Sequence, residues 1–316
     1  MEKPPIELVV QALETFSRHH DPAEQQKASK WLEQLQRSVH AWEVADQLLA
    51  LKGSQEASYF AAQTMQSKIR HNFDELPPQT HTALRDSLLN HLQNFCTEHH
   101  TITRQLAVAL ADLALQVSQW NTVVPDLIQR FGSNVSTVGV LLDVLIVLPE
   151  ETYNRSLRLG ETRRKELRQL LSHSCTDVLS LLVACLNSYH DNNLLTKLYN
   201  CLGSWVNMGT FPVHELAQSP LVQAPFQTLT QLEVPSMLYD AATDSICAML
   251  YVCEDVQAFF PLALVLKSQV EQMRPLFQAA VQIEDSDRSI CLCRIFTEMC
   301  ESFLYYSHHP PKLTSG

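Results

Sequence analysis

Apolar residues recur along this chain at spacings of three and four, so that one stripe per segment is hydrophobic and the opposite side polar, the signature of amphipathic helices. No stretch alternates apolar and polar convincingly enough to predict a strand. Fourteen helical segments follow from the pattern. The first runs from Ile6 to Ser17, Asp21-Pro22 caps and opens the second to about Arg37, the third covers Ala41 to Leu51, and the fourth runs from Gln55 to Asn72 before Pro77-Pro78. The others are predicted over 79–96, 101–117, 122–131, 136–148, 162–189, 191–207, 213–230, 235–252, 256–282 and 285–306. Taken in twos they make about seven pairs of roughly 40 to 47 residues, the period of HEAT-type repeats. An all-α, right-handed solenoid of about seven helical hairpins is therefore expected, with the second helix of each pair lining a concave surface. Two compact helical bundles would show the same helix count.

Composition narrows the function more than the fold. The 316 residues include only 7 glycines, at positions 53, 132, 139, 160, 203, 209 and 316. These are too scattered for a phosphate cradle, a nucleophile elbow or hairpin turns. A formal charge of −11 opposes general nucleic-acid binding and favours basic partners. The 9 cysteines show no paired spacing and mostly lie in apolar helical context such as LLVACL, as expected of reduced thiols in a cytosolic or nuclear protein. The start MEKPPIELVV is not patterned as a signal peptide, and the run VGVLLDVLIVL is too short to span a membrane.

The block KASKWLEQLQRSVHAWEVADQLL, followed by YFAAQTMQSKI and then ELP, resembles the N-terminal homology region of importin-β superfamily receptors. Within that family the similarity extends furthest to the transportin-SR branch, through LRDSLL, TRQLAVALADLALQ, VLPEE, RSLRLG, CLGSWVNMG and CRIFTEMCESFL. The resemblance implies a non-enzymatic nuclear import receptor without cofactors, shuttling between cytoplasm and nucleus. Its implied partners are Ran-GTP, nuclear pore proteins and Arg-Ser-rich cargo of the splicing-factor type. It also implies an organisation: residues 1–118 as HEAT repeats 1–3, the Ran-binding region; 119–306 as repeats 4–7; and 307–316 as a disordered tail. Family arrays are much longer, so a truncated array is expected, a fragment or short isoform lacking the main cargo arch. A helical-repeat scaffold with no transport activity of its own is the alternative.

Two groups of residues carry the candidate contacts. Glu56, Tyr59, Gln63, Gln66, Ser67 and Arg70 project on one side of the fourth helix, with Ala57, Ala61 and Met65 broadly opposite. This side is expected to meet Ran or simply to be solvated. The family's Leu-Lys-Asn triplet falls on Met65, Gln66 and Ser67, so a charge-based contact is missing there. Lys68 projects near the apolar side, where its stem is expected to snorkel. A second stripe, Thr103, Arg104, Ala107 and Asp112, is expected on the sixth helix, with Arg104 its candidate contact. The other group is basic: Arg155, Arg158, Arg163, Arg164, Lys165 and Arg168 form either a solvated loop entering a helix or a patch for acidic or phosphorylated segments. Trp31 and Trp42 are expected to pack.

No catalytic or metal-binding constellation emerges. His214-Glu215 lacks a second His one turn on, and Cys291 and Cys293 lack further ligands at a useful spacing. Glu150, Glu151, Glu284, Asp285 and Asp287 fall at helix boundaries, where capping explains them. The sequons at Asn134 and Asn154 would go unused in a cytosolic chain.

Overall fold

The computed structural model describes residues 2–18, 21–96, 100–255 and 258–308. Among these there are no strands, only seventeen α-helices and two short 3-10 turns, Phe73–Glu75 and Pro78–Thr80. The chain divides into two compact units, Met1–Leu167 and Arg168–Gly316.

The first unit contains α1 (Ile6–Arg18), α2 (Pro22–Arg37), α3 (Ala41–Leu51), α4 (Gln55–Asn72), α5 (His81–Asn94), α6 (His100–Gln116), α7 (Val123–Phe131) and α8 (Val135–Tyr153), and the unit boundary falls inside α9 (Glu161–His173). Consecutive helices pair as hairpins, α1 with α2, α3 with α4, α5 with α6 and α7 with α8. The second helices then stack: α4 lies against α6, and α6 against α8. Small side chains permit this approach. Ala57, Ala61 and Ala62 of α4 are buried, as are Ala107, Ala109, Ala111 and Ala114 of α6, and interiors at crystal-like density leave no room for larger groups there. Helix starts follow ordinary capping chemistry. Asp21 accepts from the Ala23 N–H and Ser54 from the Ala57 N–H, which satisfies donors that the first turn cannot.

The second unit contains α10 (Cys175–Ser188), α11 (Asn192–Val206), α12 (Val213–Gln218), α13 (Pro220–Leu229), α14 (Ser236–Val252), α15 (Phe260–Gln272), α16 (Arg274–Gln282) and α17 (Ser286–His308). Here α14 packs on α11 and α17. Trp205 is fully buried, and the Tyr199 hydroxyl meets the Thr228 hydroxyl at 2.8 Å. Gly209 takes φ +67 just after α11, a left-handed position that favours glycine.

Three segments expected as single helices are broken, and all three are the first members of their hairpins. Segment 213–230 breaks at Ser219, which is extended (ψ 144) because Pro220 follows it. Segment 256–282 breaks at Met273, since Pro275 cannot donate back to the preceding turn. Segment 162–189 breaks at Ser174 without a proline; the Ser174 N–H closes a tighter turn on the Leu171 carbonyl, and Cys175 is buried beside Thr210. The opposite departure occurs in α8, expected to end before Pro149 but running on to Tyr153. Tertiary bonds hold that last turn: Thr152 Oγ1 donates to the Pro149 carbonyl, and the Arg164 guanidinium donates to the carbonyls of Glu151 and Thr152. Of the tail expected over 307–316, residues 307 and 308 belong to α17 and the remainder lies outside the described residues.

Candidate protein-binding surface

The α4 side predicted to be polar has an exposed half and a half-buried half. Glu56, Tyr59 and Gln63 are exposed, Gln66 and Ser67 are half-buried, and Ala57, Ala61 and Met65 are buried on the other side. Tyr59 and Gln63 also line an apolar groove of about 350 Å³ formed with Leu13 and Phe16 of α1 and Leu32 of α2. Glu33 and Glu56 add carboxylates to this groove. Three helices must meet to make it, so periodicity within one segment does not reveal it. Phe16 follows Val9 and Leu13 in register on the apolar face of α1, yet it is half exposed where they are buried.

Arg70 does not belong to the free surface. Its Nε donates to Asp112 Oδ2 at 2.8 Å and its Nη2 to Glu151 Oε2 at 2.9 Å, joining α4, α6 and α8. The expected stripe on α6 dissolves for the same reason: Thr103, Ala107 and Asp112 are buried, and of its four residues Arg104 alone is exposed. Arg104 lies near Glu150, whose carboxyl is pushed up by burial and pulled down by the Arg104 charge. Glu151 is not a helix-end cap but an inward-facing ion-pair partner.

Lys68 does not snorkel. It is buried with 1% exposure, its ammonium paired with Glu75 and lying 5.5 Å from the centroid of the Trp42 ring. Trp42 Nε1 donates to the same Glu75 oxygen at 3.0 Å, so Trp42 packs and anchors the turn after α4. Trp31 is half-buried.

The basic segment separates into two sets. Arg163 donates to the carbonyls of Ala114 and Leu115 in the last turn of α6 and to that of Val117 just beyond it, which also accepts from the Trp120 N–H. Arg164 is buried and donates to the carbonyls of Glu151, Thr152 and Leu157. Both are internal staples rather than patch residues. Arg155, Arg158 and Lys165 are exposed, and half-buried Arg168 begins the second unit.

Among the described residues no group of three His, Cys, Asp or Glu side chains is arranged to hold a metal ion. The Ser87, Asp46 and His91 cluster is not a nucleophile and base: both Ser87 Oγ and His91 Nε2 bond to the same Asp46 oxygen, so the carboxylate separates them. The His91 bond, opposed by burial, holds Asp46 below the ordinary carboxylate range. Cys185, Cys247 and Cys253 are pushed up to about 11, 11 and 12 by burial, which makes them poor nucleophiles. Cys175, Cys185, Cys201, Cys253 and Cys291 are buried, as their apolar helical context suggests, whereas Cys293 and Cys300 are exposed.

Stacked helical hairpins whose second helices pack on one another in each unit define the chain as an α-solenoid of HEAT type. Importin beta has this fold, and its crystal structure in an ammonium sulfate condition superposes with a TM-score of 0.50 at 16% identity, over 95% of this chain and 36% of that one. The importin-beta N-terminal domain family matches residues 28–94, and the exportin 1-like protein family matches residues 99–246. On these matches the chain belongs to the importin-β superfamily. Transportin MOS14 of Arabidopsis thaliana is 28% identical over 307 residues, covering 94% of this chain and 31% of its own length. Importin-13 of Homo sapiens is 30% identical over 311 residues, with 94% and 31% covered. The chain thus spans about a third of the length of these curated relatives.

Proposed function

We propose that this chain is the Ran-GTP-binding portion of a nuclear import receptor, and that Ran meets the exposed face of α4 at Glu56, Tyr59, Gln63, Gln66 and Ser67, with Arg104 of α6 beyond. The observation that carries the reading is the division of α4 within the 28–94 match: its alanines are spent on packing while Tyr59 and Gln63 stay open beside an apolar groove. An aromatic and amide surface with neighbouring carboxylates suits a partner that brings apolar and basic side chains. Arg70, Arg163 and Arg164 drop out of the contact set because they are committed inside. The similarity to a transportin and to importin-13 supports import of protein cargo, and the RSLRLG and CLGSW segments support the Arg-Ser-rich class. Arg155, Arg158 and Lys165 then form a secondary surface for acidic segments, and nuclear pore proteins and shuttling between cytoplasm and nucleus complete the reading. Ran and cargo would act by linkage, each lowering the affinity of the array for the other.

Capture of Ran loaded with GTP or GDP on the immobilised chain tests this. Retention of the GTP form alone is expected, reduced at least fivefold by Tyr59→Ala with Gln63→Glu at unchanged helical circular dichroism. Equal, background-level retention of both nucleotide forms would overturn it and favour a scaffold that does not bind Ran.

A further inference from the structure

Two buried carboxylates and a half-buried guanidinium come together where three successive hairpins meet. Asp112 is 0% exposed, Glu151 8%, and Arg70 shields both through one guanidinium. With both carboxylates ionised the cluster carries one uncompensated negative charge in a nearly dry site, which is costly. With one proton it is neutral. Asp112 Oδ1 is buried without a hydrogen-bond partner, so it is the atom with a vacant place for that proton. Among the described residues Arg70 is the one cation paired with these carboxylates. Asn154 Nδ2 donates to Glu151 Oε2 at 2.8 Å but is neutral. Arg164 of α9 spends its donors on main-chain carbonyls, Arg104 of α6 acts on Glu150, and His91 of α5 faces Asp46 of α3.

We infer that Arg70, Asp112 and Glu151 form a proton-linked clasp across α4, α6 and α8. With the proton on Asp112 the clasp is closed and the second helices of three hairpins are held together. When the proton leaves to solvent, Asp112 and Glu151 repel in a site that cannot hydrate them without loosening this stack. Burial pushes Asp112 up to about 7, opposed by the Arg70 bonds and reinforced by the Glu151 charge, so the transition falls in the neutral range. A folded-state value above the ordinary Asp value means that the contribution is fully present at low pH and is lost as pH rises through about 7. Because α4 and α6 also carry the proposed contacts, the clasp would tune their spacing. It stands on the buried cluster and not on Ran binding.

The test compares the full chain with Asp112→Asn, which keeps the shape of the protonated acid and cannot ionise. Hydrogen exchange of the segments 65–72, 108–116 and 147–153, corrected for intrinsic chemistry, is followed from pH 6 to pH 8.5, beside a carbon-13 titration of the Asp112 carboxyl in the wild type. Protection in the wild type is expected to fall severalfold across this range while that of Asp112→Asn stays flat, and the Asp112 resonance is expected to titrate near neutrality. Equal pH dependence in both proteins, or an Asp112 resonance already ionised below pH 5, would overturn the clasp. Should Asp112→Asn fail to fold, the carboxyl titration alone decides.

Discussion

Replacing Arg164 by Met separates the staple reading of the basic segment from the patch reading. The Arg164 guanidinium donates to three main-chain carbonyls, at 3.2 Å to Glu151, 3.0 Å to Thr152 and 2.6 Å to Leu157, and is 6% exposed. A charged donor contributes about 1.5–3 kcal/mol per bond, which sets an upper sum of about 4.5–9 kcal/mol. Water reaching the freed carbonyls, which lie at a helix end and in a loop, should recover about half of this, leaving a cost of about 3–4 kcal/mol. For a unit of this size each kcal/mol moves the midpoint by about 2–4 °C, so a fall of about 10 °C is expected in the transition of the first unit. The control is Arg155→Ala, an exposed neighbour that should stay within about 0.5 kcal/mol of wild type. Differential scanning calorimetry of the three proteins reads the effect, and hydrogen exchange over 147–160 locates it. If Arg164→Met and Arg155→Ala melted within 2 °C of each other, the guanidinium would not be an internal staple and the extension of α8 past Pro149 would need another cause.

Other expectations use the same physics. Glu75→Gln should cost more than Lys68→Met in urea unfolding, about 3 against about 1 kcal/mol, because it strands a buried ammonium while the converse change leaves a carboxylate that water can reach. Ala61→Leu, at a site with 0% exposure on α4, should destabilise by about 1–3 kcal/mol through overpacking, seen as a lower urea midpoint at unchanged slope. Asp46, held low mainly by its His91 bond, contributes stability above its ordinary titration range that is lost as pH falls through the folded-state value. Asp46→Asn should therefore flatten the acid limb of the stability profile; an unchanged limb would show that the bond does not form.

Helix positions and pairing were legible because they depend on local spacing. The same reading merged three pairs of helices, two of which a proline should have separated, and stopped α8 at a proline that tertiary bonds override. Charged side chains were the least legible. Arg70 and Lys68 lie on the same helix, one nominally on its polar side and one near its apolar side, yet both form internal ion pairs with residues from other elements. The Arg70 partners Asp112 and Glu151 stand 42 and 81 positions away from it, a distance over which helical periodicity carries no information. The alanine side of α4 was predictable because packing against α6 demands small residues wherever two helices approach closely. The groove beside Tyr59 was not, because its walls come from three helices.

The central claim, that Ran-GTP meets the open face of α4, is tested most directly by placing a photo-crosslinking residue at Gln63 or, as a control, at exposed Ala83 of α5. The account predicts a crosslink to Ran-GTP from position 63, weak or absent with Ran-GDP, and none from position 83. Equal crosslinking from both positions, or none from position 63 under conditions where Ran-GTP is retained by the chain, would contradict it.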